Sequence, residues 1–271
     1  MKMEIRKTDV RDIEISWMEE GSGPPLLMIM GMAGIMGYWG PELIKKLSSD
    51  FRVIVFDNRG MGETSAGVKN FTIPEFARDT KELMDILGLD RAHVLGWSMG
   101  SFVAQEMAIL YPEKINRLVL YGSSCGGMQT ALPPADVMKR LFDTTGTPME
   151  LTETALSLMV PESWLADHPS FRKGFLSKPM SVYLKNIPSI RKQIQAITSW
   201  EGAWDRLGSI SNETLVITGD EDAVFPVENS HMLSDQIPKS RLEVIRGGGH
   251  GMIYQYPELF SSIVKAFLSQ K

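Results

Sequence analysis

The sequence predicts an α/β fold: a mostly parallel sheet with helices on both faces, interrupted once by a helical insertion. Three observations carry this. Short apolar runs at 26–30, 52–56, 92–95, 118–121, 214–218 and 242–245 alternate with stretches of helical spacing, the pattern of strands that pair in parallel through crossover helices. The alternation stops at about Ser124 and resumes after Leu207. Finally, the strand ending Val94-Leu95 runs straight into a helix through Gly96-Trp97-Ser98-Met99-Gly100.

Taken in order, residues 3–7 and 12–19 read as two alternating strands, an antiparallel pair at one sheet edge. Leu26-Leu27-Met28-Ile29-Met30 is a continuous apolar run, expected of a strand covered on both faces. It opens into a glycine-rich loop over 31–40, and Pro41 to Leu47 is a short helix. The buried strand Arg52–Phe56 follows, then Asp57-Asn58-Arg59-Gly60-Met61-Gly62. Thr72 and Glu75 form a capping box for a helix ending near Leu87, with Gly88 as its stop. After the Ser98 strand come Phe102, Val103, Met107 and Leu110 at helical spacing, halted by Pro112.

Between about 125 and 207 the helix-like patches are Met138–Phe142, Leu151–Met159, Ser181–Ile187 and Ile190–Ile197, punctuated by prolines. This divides the chain into a core of 1–124 and 208–271 and an inserted helical segment of 125–207. Strand, helix and strand then recur at Thr214–Thr218, Val227–Gln236 and Leu242–Ile245. Gly247-Gly248-Gly249-His250 is a loop and Glu258–Leu268 a closing helix.

Composition excludes several function classes. The 271 residues carry a net charge of -5 with no basic stripe or polybasic run, so neither nucleic acid nor an anionic membrane is expected as a partner. The uncharged stretch Gly21–Pro41 is broken by nine glycines and prolines, which a lipid-facing helix does not tolerate. A cytoplasmic protein is expected, binding a small molecule. The single cysteine, Cys125, cannot form an internal disulfide and reads as a buried small residue. Neither Gly60-Met61-Gly62 nor Gly247–Gly249 has the strand–turn–helix setting of a dinucleotide site. No cluster has metal-ligand spacing, so no cofactor or metal is expected.

The chemistry points to Ser98. A strand feeding directly into a helix needs a sharp turn, and glycines on either side leave room for it. The serine then sits strained at the tip, with a helix N-terminus behind it. A serine hydroxyl needs a base and a group to orient that base. Of four histidines, only His250 lies in a glycine-rich loop directly after a buried strand. His93 lies within a strand, His168 beside Pro169, and His231 in a helix. Gly219-Asp220-Glu221-Asp222 supplies the acid. Asp222, beyond the turn, is best placed to reach the next strand's loop; Asp220 and Glu221 read as turn and solvated residues.

With Ser98, Asp222 and His250 in that order, the chain resembles the α/β-hydrolase fold family. The resemblance rests on Gly96-Trp97-Ser98-Met99-Gly100, Asp57–Gly62, Thr218–Asp222 and Gly249-His250-Gly251. It implies an eight-stranded sheet with a helical cap inserted after the sixth strand. It also implies an oxyanion hole made by the backbone N–H of Met99 and of Met32, with Ala33 as the fallback donor. Many relatives read His-Gly-x where this chain has Met30-Gly31-Met32. Met30, Trp97 and Met252 are expected to line the substrate pocket. The resemblance implies a serine carboxylesterase; carbon–carbon bond hydrolases, perhydrolases, haloperoxidases and triad-retaining small-molecule receptors use the same frame.

Overall fold

A computed structural model describes residues 4–177 and 181–270. Eight strands form one sheet: β1 (Arg6–Val10), β2 (Ile13–Glu20), β3 (Pro25–Ile29), β4 (Arg52–Phe56), β5 (Ala92–Trp97), β6 (Ile115–Tyr121), β7 (Glu213–Gly219) and β8 (Ser240–Ile245). The spatial order is β1-β2-β4-β3-β5-β6-β7-β8. β1 and β2 form the expected antiparallel edge, with Val10 opposite Ile13, and every pairing beyond β4 is parallel. The strand expected over 3–7 runs three residues later, and residue 3 itself lies outside the described residues.

The central strands are buried on both faces because helices cover each. Ile29, Ile54, Val94 and Leu120 pack under α2 (Ile73–Ile86) and α3 (Met99–Leu110). Met28, Val55, Leu95 and Val119 pack on the other side with α1 (Pro41–Leu47) and α11 (Pro257–Leu268). The capping box at α2 is half formed. The Thr72 hydroxyl accepts from the Glu75 N–H at 3.1 Å, but the Glu75 carboxylate is drawn to Arg11 at 2.8 Å. That pairing belongs to a network the linear spacing did not disclose: Asp12, Glu75 and Asp79 converge within 4.8 Å. The fully buried Arg59 guanidinium bonds Asp12 and Asp79 at 2.7–2.8 Å and holds the Asp12 carboxyl well below its ordinary range. The three carboxylates are thus answered by arginines.

Between β6 and β7 lie α4 (Ala135–Phe142), α5 (Pro148–Met159), α6 (Glu162–Asp167), α7 (Pro169–Leu176) and α8 (Ser181–Thr198). Two sequence expectations change here. The patches at 181–187 and 190–197 are one helix that carries Pro188 in its interior. The carbonyl released by that proline belongs to Leu184, an exposed position where water can satisfy it. α6 and α7 have no long apolar period; Pro161 stands at the N-cap of α6 and Pro169 opens the first turn of α7. The far end of the insertion merges with the core, since Ala196, Trp200, Ala203 and Leu207 pack in the same cluster as Phe102. α9 (Glu228–Gln236) and a short α10 (Met252–Gln255) complete the chain. Among the described residues no helix is long and apolar enough to cross a membrane.

Candidate active site

The site forms where loops leave the C-terminal ends of β3, β5, β7 and β8. At the end of β5, Ser98 adopts φ 56° and ψ -123°, left-handed territory that a residue with a Cβ enters only under constraint. Close approach imposes it. A Cβ on Gly100 would lie 2.1 Å from the Ile29 carbonyl oxygen, and one on Gly96 would lie 2.3 Å from the Gly100 oxygen. Neither glycine has a positive φ; each is there for space. Ser98 is half-buried and opens into a cavity. Its N–H is taken by the Tyr121 carbonyl at 2.9 Å, while the Met99 N–H, at the first position of α3, has no intrahelical acceptor.

Because Ile29 pairs beside Gly96, the loop after β3 runs over the serine. A Cβ on Gly31 would come within 3.0 Å of the Ser98 Cβ. Gly31–Gly34 is a tight turn closed by a 3.3 Å bond from the Gly34 N–H to the Gly31 carbonyl, with Ala33 at φ 59°. The Ala33 N–H is spent on Gln193 Oε1 at 2.8 Å, which takes the fallback donor out of reach of a ligand in the cavity. Met30 is buried, folded against Gly34 (a Cβ there would lie 2.5 Å from Met30 Cγ). Asn58 Nδ2 holds the Met30 carbonyl at 2.8 Å, and Asp57 Oδ1 accepts the Met36 N–H at 2.7 Å. Burial pushes the Asp57 carboxyl up to about 6.

The loops after β7 and β8 are drawn together at two glycines: a Cβ on Gly219 would fall 1.9 Å from the Gly248 oxygen. Asp222 Oδ2 lies 2.8 Å from His250 Nδ1, and both residues are buried. The other oxygen, Oδ1, accepts the N–H groups of Val224 and Phe225 at 2.8 and 2.9 Å, which locks the carboxylate plane. A carboxylate beside Nδ1 keeps the proton there and leaves Nε2 as an acceptor. Asp220 instead accepts the Gly247 N–H at 2.6 Å and, like Glu221, is exposed. The His250 carbonyl is fixed from beneath by the Tyr121 hydroxyl at 2.5 Å and the Trp97 indole N–H at 3.1 Å. The other histidines lie elsewhere: His93 is buried in β5 against Phe51, His168 stacks on Trp164, and His231 is exposed.

Ser98, His250, Met30, Met32, Ala33 and Trp97 share a cavity of about 400 Å³. Ile35, Tyr38 and Tyr254 of the core line it too, and the insertion adds Leu141, Leu151, Leu158, Met159 and Ile190, with Arg140, Asp143 and Thr144 at a polar edge. Met252 is a correction. It is fully buried in the core with α11 and lines no part of this cavity, because the first turn of α10 points it down beneath the His250 loop, where a Cβ on Gly248 would lie 3.2 Å from its sulfur. Sequence reading also passed over Tyr121, Asn58 and Gln193. Asn58 stood in the Asp57–Gly62 motif without a role, and Gln193 left a trace as an amide on the apolar stripe Ile190–Ile197.

Known proteins agree with this architecture. A putative carbamate hydrolase, RutD, from Caulobacter sp. (strain K31) is 29% identical over 250 residues, covering 90% of each chain. A 2-hydroxy-6-oxo-6-phenylhexa-2,4-dienoate hydrolase from Comamonas testosteroni is 28% identical, with 98% of this chain and 95% of that one aligned. The structure of a thermophilic esterase from Thermogutta terrifontis superposes with a TM-score of 0.81 at 25% identity over 98% of both chains. The profile of the alpha/beta hydrolase fold matches residues 24–257, and the chain, a hydrolase in architecture and relatives, belongs to that family.

Proposed function

We propose that this protein is a serine hydrolase that cleaves a small to medium carboxylic ester through an acyl-enzyme. The observation that carries the reading is the buried 2.8 Å Asp222–His250 pair opening onto the same cavity as the strained Ser98. His250 Nε2 takes the Ser98 proton as Oγ bonds to the ester carbonyl carbon. The N–H groups of Met99 and Met32 receive the developing oxyanion. The tetrahedral intermediate collapses, and the alkoxide leaves with the proton held by His250. Water then repeats the sequence on the acyl-enzyme, releasing the acid and restoring Ser98. Asp222 stabilises the imidazolium throughout.

The cavity favours an ester over a compact polar carbamate, since leucine, isoleucine and methionine side chains, with Trp97 and Phe175, supply much of its lining and its volume is about 400 Å³. Methionines at Met30, Met32 and Met159 suit acyl groups of varied shape. The test is a panel of p-nitrophenyl esters of increasing acyl length beside an aryl carbamate, with fluorophosphonate labelling. Hydrolysis of esters and labelling of the wild type, with Ser98→Ala folded, unlabelled and slower by about 10⁴-fold or more, is the expected result. A labelled Ser98→Ala protein, or a wild type that binds esters without turnover, would overturn the proposal.

A further inference from the structure

Gln193 lies in α8 of the insertion, far in sequence from the oxyanion loop, and is completely buried. Its Oε1 accepts the Ala33 N–H at 2.8 Å, while its Nε2 has no partner among the described residues. A buried amide with half its hydrogen-bonding capacity unused is costly, so its remaining bond has to matter to the fold or to the site.

The turn it touches explains which. Gly31–Gly34 has a positive φ at Ala33, its third residue, and none at Met32. That is the type II arrangement, which glycine adopts freely and alanine resists. The relaxed alternative for alanine is type I, reached by rotating the central Met32–Ala33 peptide by about 180°. Rotation would turn the Ala33 N–H away from Gln193 and set the Met32 carbonyl oxygen in its place, facing another oxygen. It would also reverse a peptide dipole in the cavity wall, next to the Met32 N–H. The helix bearing Gln193 is itself fastened to the core. Asn186 Nδ2 donates to the Gly60 carbonyl at 2.9 Å, and Ser189 packs so close to Gly60 that a Cβ there would lie 2.5 Å from its hydroxyl.

We propose that Gln193 is a positioning residue for the oxyanion hole, holding the Met32–Ala33 peptide in its strained orientation so that the peptide dipole beside the Met32 N–H is not reversed next to the reacting carbonyl. The inference rests on the serine-hydrolase reading, and its test separates the two. Gln193→Met keeps the length and removes the acceptor; Gln193→Glu keeps the acceptor. Gln193→Met lowers kcat by about 10- to 100-fold, below the cost of deleting a donor outright, with KM little changed. Its affinity for a trifluoromethyl ketone falls by the same factor. Gln193→Glu recovers most of both. In an Ala33→Gly background, where either turn lacks the alanine strain, Gln193→Met costs markedly less.

Amide hydrogen exchange of Ala33, slow in the wild type and fast in Gln193→Met, reads the contact even in a protein without esterase activity. An unchanged kcat and ketone affinity in folded Gln193→Met, or the same loss in both Ala33 backgrounds, overturns the proposal. If the wild type neither labels nor hydrolyses, the functional reading fails instead, and the exchange of the Ala33 amide alone decides whether Gln193 holds the turn.

Discussion

Replacing Asp222 by asparagine should cost about 10⁴-fold in kcat while barely changing the fold. The amide keeps one oxygen, which can go on accepting the Val224 and Phe225 N–H groups now bound to Oδ1 at 2.8 and 2.9 Å. Its nitrogen must then face His250 Nδ1 where a carboxylate oxygen stood at 2.8 Å. Two donors cannot share that contact, so the imidazole proton moves to Nε2 and the base can no longer receive the serine proton. A wrong tautomer together with a lost counter-charge accounts for a loss on that scale, about 5 kcal/mol in the barrier. Asp220→Asn keeps an acceptor for the Gly247 N–H, and Asp220→Ala forfeits one exposed bond, worth about 1 kcal/mol of stability; both should stay within about tenfold of the wild-type rate. Glu221→Gln should be silent. The assay is steady-state hydrolysis with circular dichroism on each variant. A severe loss in Asp220→Asn or Glu221→Gln, with Asp222→Asn near normal, would refute the assignment.

Gly100→Ala should unfold or grossly destabilise the protein, by more than about 4 kcal/mol, because its Cβ would meet the Ile29 carbonyl oxygen at 2.1 Å and the Met30 oxygen at 2.9 Å; thermal unfolding within a few degrees of wild type would contradict this. Gly174→Ala, in the middle of α7 with nothing within 4 Å of the new methyl, should instead stabilise by about 0.5–1 kcal/mol. Acid stability should reflect two buried groups of opposite sign. Burial raises the Asp57 carboxyl to about 6, so the native state binds the extra proton and the fold gains about 1 kcal/mol between pH 7 and 5. Burial, helped by Arg117, lowers His93 to about 4, so the unfolded chain protonates first and the fold loses about 2 kcal/mol over the same range. Asp57→Asn should therefore steepen the acid loss and His93→Gln should reverse it, by denaturant unfolding at each pH; parallel curves for all three proteins would show that neither group titrates as stated.

What could be read from the sequence was local. The buried strands and the Ser98 turn depend on residues within a few positions of one another, where apolar runs and glycine spacing report directly on backbone shape. Met252 failed because its direction depends on which way a four-residue helix faces. Pro188 failed because a proline in the sequence does not tell whether the helix kinks and continues or ends; here it continues, with the freed carbonyl at the exposed Leu184. The Arg59 network and the diversion of Glu75 required Asp12 and Asp79, which the fold brings from separate elements.

The same limit hid the relation between insertion and site. Dividing the chain at 125 and 207 makes the helices an addition laid over a finished active site, yet they make contacts on both sides of the chemistry. α8 reaches the Gly31–Gly34 turn through the Gln193–Ala33 bond. At the opposite wall, the last residue of α5, Met159, accepts the Gly251 N–H with its carbonyl at 2.5 Å, one residue beyond His250. A Cβ on Gly249 would strike that same Met159 oxygen at 2.7 Å, and one on Gly251 would approach it at 3.1 Å, so glycine flanks His250 because helix α5 lies directly on the loop. The strands bring Ser98, Asp222 and His250 to one end of the sheet. The final placement of the two loops that flank the serine is shared with the insertion, and substitutions at its contact points should alter rate even where they touch no substrate.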